Sequence, residues 1–99
     1  MTISLYLLGD DTEITTLHDA VANPFKLGDE VFLSVDEIYP ADYDRFNDAY
    51  RVKLLAENSY LTNKFRLKTI KIVEEKKFMR IKTAKAPHLT IEYYCEIIN

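Results

Sequence analysis

Apolar and polar residues alternate one by one near the start of the chain. Over Thr2–Leu8, Ile3, Leu5 and Leu7 alternate with Thr2, Ser4 and Tyr6, the two-residue period of a half-buried strand. Gly9-Asp10-Asp11 then reads as a turn. Thr12–Asn23 has no clear period: Thr15–Val21 fits a short helical turn capped by Thr15 or Thr16 and ending at Asn23-Pro24, or an ordered loop. Alternation returns over Glu30–Ile38, with Val31, Leu33 and Val35 on one side and Phe32, Ser34 and Asp36 on the other.

A different spacing follows. Tyr43, Phe46, Tyr50, Leu54, Leu61 and Phe65 recur at intervals of three, four or seven, which predicts an amphipathic helix over about 41–57. Pro40 suits its first turn, and Asp42 and Asp44 suit its positive end. Tyr50, Val52, Leu54 and Ala56 carry a competing strand-like alternation, but the longer window keeps the helical period. A second short helix is expected from Ser59 to about Phe65. Three strands complete the chain: Leu67–Val73, a charged hairpin turn at Glu74–Lys77, a return over Phe78–Thr83, and a last strand over Leu89–Ile98. In that last strand Leu89, Ile91, Tyr93, Cys95 and Ile97 share one face, and Thr90, Glu92, Tyr94 and Glu96 the other. The order β-β-α-β-β-β gives an α+β fold: a curved antiparallel sheet, or partly open small barrel, of about five strands with one main amphipathic helix.

The segment Phe25-Lys26-Leu27-Gly28-Asp29-Glu30-Val31 resembles the turn that opens a strand in many small SH3-like barrels. Gly28 permits the sharp turn and the apolar residues flanking it anchor it. No function comes with a pattern of this length.

Composition narrows the class. Ninety-nine residues make one domain over 1–99, and 47% apolar residues suffice for a core. Two Gly and three Pro argue against low complexity. One cysteine, Cys95, forms no internal disulfide, which points to a reducing, cytoplasmic setting. No leader pattern or run of about 20 apolar residues is present, so a soluble protein without membrane contact is expected.

Charge is distributed unevenly. Residues 1–48 hold eleven Asp/Glu and two Lys/Arg; residues 49–99 hold five and eleven, so a chain charge of −3 conceals halves of opposite sign. Arg66, Lys68, Lys71, Arg80 and Lys82 would form a nucleic-acid surface if they shared an exposed sheet face near aromatic residues. Against this, Glu92 and Glu96 would neutralise Arg80 and Lys82 if the last two strands pair. Asp36, Glu37, Tyr39, Asp42, Tyr43, Asp44 and Asp48 form an acidic, tyrosine-rich region suited to a protein partner.

Chemical motifs are missing. His18 and His88 stand at no metal-ligand spacing, and the acidic groups lack the spacing of a calcium loop. Cys95 lies on the apolar face of its strand, where a thiol is inert. No phosphate-binding loop or catalytic signature is present. The expectation is a non-enzymatic protein-interaction or assembly module, without cofactor or metal, able to self-associate. The alternatives are a nucleic-acid-binding domain using the basic strands 66–82, or an acidic accessory or inhibitor protein of a virus or mobile element, docking on a basic partner.

Overall fold

A computed structural model describes residues 1–34, 37–40, 59–80 and 87–98. They form seven strands: β1 Thr2–Leu7, β2 Glu13–Leu17, β3 Glu30–Leu33, β4 Ile38–Pro40, β5 Ser59–Leu61, β6 Lys68–Arg80 and β7 His88–Ile97. All lie in one sheet, in the order β4-β3-β6-β7-β1-β2-β5. Neighbours are antiparallel except β1 and β7, which run parallel from Thr2 opposite Thr90 to Leu7 opposite Cys95. The sheet curls into a half-barrel.

The concave face carries the core. Leu17, Ile3 and Ile91 form one row across β2, β1 and β7; Thr15, Leu5 and Tyr93 form the next. Leu7, Cys95 and Ile72 follow, then Ile97, Ile70 and Val31. Ile3, Leu5, Leu17, Val31, Ile70, Tyr93 and Cys95 are fully or almost fully buried, and Ala20, Phe25 and Phe65 join them from the connecting segments. Burial of the Ile, Leu, Val and Phe side chains among them stabilises the sheet by roughly 1.5–3 kcal/mol each before conformational entropy is counted.

This architecture corrects the α+β expectation. The structure is nearly all sheet, and among the described residues no helix reaches seven residues. The helix read over 41–57 lies outside the described residues. The second helix read from Ser59 is instead strand β5, followed by a single 3-10 turn at Asn63–Phe65.

Each difference has a local cause. Ile14, Thr15, Thr16 and Leu17 of β2 are all buried, so no alternation marks this strand, although its β-branched residues favour one. The strand read over Glu30–Ile38 ends at Leu33. There Ser34 donates its backbone N–H and its hydroxyl to the Glu37 carbonyl, at 2.8 and 2.9 Å, and β4 returns beside β3. Pro40 closes that edge strand, a position that tolerates its missing donor. Glu74–Lys77 is no turn: β6 runs unbroken through it, with a bulge between Ile72 and Glu74. The bulge resets the alternation, placing Glu74 and Lys76 on the convex face and Glu75 and Lys77 on the concave one.

Candidate functional site

The register of the strands assembles a continuous patch on the convex face. One row runs Glu74–Tyr94–Tyr6–Glu13 across β6, β7, β1 and β2. The next runs Lys76–Glu92–Ser4–Thr16–Tyr60, ending on β5. On the other side of the tyrosine row stands Glu30–Lys71–Glu96.

The tyrosine row is tightly organised. Tyr6 and Tyr94 stack with centroids 5.6 Å apart and 24° between planes. The Lys76 ammonium lies over the Tyr94 ring, 4.8 Å from its centre, a favourable contact between a cation and the negative ring face. The Tyr94 hydroxyl donates to a Glu92 carboxylate oxygen at 3.1 Å. Desolvation, reinforced by that carboxylate, pushes the Tyr94 phenol up to about 12, so it keeps its proton at neutral pH.

Beside the row, Ser4 and Thr16 are buried and their hydroxyls meet at 3.1 Å. Thr16 in turn donates to Glu13. Thr62 donates its hydroxyl to the Glu13 carbonyl at 3.2 Å, tying the chain after β5 to β2. Glu13 itself is exposed, and Tyr60 in the next row is 72% exposed. The bulge between Leu5 and Tyr6 sets this geometry: it pairs Leu5 with Thr15 and Tyr6 with Glu13, putting Glu13 across from Tyr6 on the convex side.

These three rows carry five glutamates (Glu13, Glu30, Glu74, Glu92, Glu96) and two lysines, Lys71 and Lys76. Each lysine stands directly opposite glutamate: Lys71 between Glu30 and Glu96, Lys76 opposite Glu92. The expected opposition of basic and acidic residues across β6 and β7 is present in the register, but with other residues, and an ion pair among the described residues lies within β6, Lys77 to Glu75 at 3.6 Å. The continuous strand brings Lys71 and Lys76, rather than Arg80 and Lys82, across from Glu96 and Glu92; Arg80 stands opposite His88.

The basic surface is divided among several places. Lys71 lies on the convex face, whereas Lys68 stands opposite Leu33 on the concave side. Arg66 closes the 3-10 turn, its N–H donating to the Asn63 carbonyl at 3.2 Å. Arg80 ends β6, and Lys82 lies outside the described residues. Of the acidic region, Glu37 closes the turn after β3 and Tyr39 pairs with Phe32, while Asp36, Asp42, Tyr43, Asp44 and Asp48 lie outside the described residues.

The concave side holds a second polar arrangement. The Tyr93 hydroxyl accepts from Asn23 Nδ2 at 2.8 Å and donates to the Phe25 carbonyl at 3.3 Å. Phe25 packs edge-on against the Tyr93 ring, 6.2 Å between centroids. Burial, with the nearby Glu75 carboxylate adding and the Asn23 contact opposing, pushes this phenol up to about 12. These bonds fasten the 20–29 segment over the core and read as structural. Burial likewise pushes the Cys95 thiol up to about 12, which suppresses the thiolate a nucleophile needs.

Among the described residues, no group of three or more His, Cys, Asp or Glu is placed to hold a metal ion. Among them also, no helix is long and apolar enough to cross a membrane. Tyr6 and Tyr94 were visible in the sequence as aromatics on the polar side of their strands; what the sequence does not give is the parallel pairing that stacks them. No family model, curated protein or solved structure matches the chain.

Proposed function

We propose that this protein is a non-enzymatic interaction module whose convex sheet face receives a protein partner. The observation that carries the reading is the register of the convex face. It gathers two stacked tyrosines with five glutamates and sets each of the two lysines in register opposite a glutamate. A nucleic-acid surface needs cations facing water along the backbone it tracks. A protein interface uses tyrosine as a rigid anchor with charges arranged around it for specificity. The module works in the cytoplasm, in keeping with its single buried Cys95.

The test is capture from lysate on immobilised protein, together with light scattering over a wide concentration range. A partner retained in proportion, or a concentration-dependent dimer, is the expected result. A protein that stays monomeric at high concentration and retains nothing contradicts the reading. Retention of RNA or DNA that is lost at high salt would favour the nucleic-acid alternative instead.

A further inference from the structure

Resting on that reading, we infer that the partner presents a basic, extended segment, and that one arginine of it seats on the Tyr6 ring against the Glu13 carboxylate.

The convex face already shows how such a seat works. Tyr94 has the Lys76 ammonium over its ring and a carboxylate, Glu92, at its hydroxyl. Tyr6 is the next ring in the same stack, and it has Glu13 directly across from it on β2. The Lys76–Tyr94–Tyr6 stack thus ends on a ring whose cross-strand neighbour is Glu13, with no cation from the described residues against that ring. Guanidinium is the group that suits both features at once: its plane stacks on an aromatic face while its N–H fork meets a carboxylate. Glu13 accepts from Thr16, and a carboxylate retains further acceptor sites after one such bond. Tyr60, exposed in the adjacent row, gives the same segment a second aromatic wall.

Charge complementarity sets the class of occupant. Lys76 stands opposite Glu92 in the register, and Lys71 stands between Glu30 and Glu96. Glu13 and Glu74, the two ends of the tyrosine row, have no lysine opposite them. An acidic ligand or a phosphate backbone meets net repulsion on such a face. A cationic segment meets, at each end of an aromatic row, a carboxylate that has no cation opposite it among the described residues.

Geometry then sets the spacing. Glu74 and Glu13 are three strand spacings apart, about 14 Å at about 4.8 Å per step. An extended chain lying across the strands advances about 3.3 Å per residue, so side chains four residues apart point the same way and span about 13 Å. The segment that fits carries two arginines four residues apart.

The experiment uses the full chain and a labelled short peptide with two arginines four residues apart, read by fluorescence anisotropy. Peptides with the arginines adjacent, with lysines in their place, and with glutamates in their place serve as controls. Binding that falls with salt is expected, strongest for the four-residue spacing. Glu13→Gln is expected to weaken it about tenfold, the scale of a partly desolvated cation–carboxylate or cation–ring contact. Tyr6→Phe, which keeps the ring, is expected to bind as the parent does, and Tyr6→Leu to lose binding with the fold intact by circular dichroism. Equal binding of all cationic peptides, or an unchanged affinity in Glu13→Gln, overturns the inference. If Glu13→Gln still captures the lysate partner at full strength, this seat is wrong and the interaction module stands. If the parent captures nothing, the module itself fails.

Discussion

Tyr6 and Tyr94 come from opposite ends of the chain and stack face to face on the convex side of the sheet, 5.6 Å between ring centres. They meet because β1 and β7 are parallel neighbours in register, Tyr6 opposite Tyr94. The contact fastens both ends of the chain at the centre of the sheet and forms the middle of the proposed binding row. Fold and candidate site therefore share one pair of side chains, and substitutions there need a readout of each.

Tyr93 offers a clean test of the concave side. Tyr93→Phe keeps the ring against Phe25 but removes the hydroxyl that meets Asn23 and the Phe25 carbonyl. A loss of about 1–2 kcal/mol in urea unfolding is expected. The phenol also predicts a pH dependence. Its folded pKa, about 12, is raised above the ordinary value of 10.0, so its contribution is fully present below pH 10 and is lost as pH rises toward 12. The parent should lose stability more steeply than Tyr93→Phe across that window.

Gly28 holds the turn before β3 at φ +90°, with its N–H donating to the Ile72 carbonyl at 2.9 Å. A Cβ there would meet no atom within 4 Å. The cost of Gly28→Ala is thus conformational rather than steric, about 1 kcal/mol, measurable as a lowered urea midpoint at constant slope.

The continuity of β6 is tested by proline. Successive residues of a strand direct their N–H groups to alternate sides, so one of Lys76→Pro and Lys77→Pro removes a ladder bond to β7. At least one is expected to cost about 2 kcal/mol in unfolding experiments. A turn at these positions would tolerate both.

Cys95 is fully buried between Leu7 of β1 and Ile72 of β6. A thiol-specific reagent should label it only as fast as the protein unfolds, with full reaction in guanidinium. Rapid labelling of the folded protein would contradict its place in the core.

The sequence reveals strands whose two faces differ in polarity. β1 and β7 have one apolar and one polar side, and their alternation marks them within a residue or two. It conceals them where both faces share a character. Ile14–Leu17 is buried on both sides, and Glu74–Lys77 is wet on both, so one reads as a loop or helical turn and the other as a hairpin. The same blindness governs the site. Lysines at 68 and 71 seem to belong together, but an odd spacing in a strand sends them to opposite faces. Glu13 reads as part of an acidic turn until the bulge after Leu5 sets it beside Tyr6. Pairing across strands, not spacing along one, builds this face.

The most direct measurement is a backbone amide NMR titration of the full chain with its captured partner or with the two-arginine peptide. The largest shifts are expected at Tyr6, Glu13, Tyr60, Lys76 and Tyr94, with Asn23 and Lys77 on the other face unmoved. Shifts centred on the concave side, or on Lys68 and Arg66, would contradict the assignment of the convex face as the binding surface.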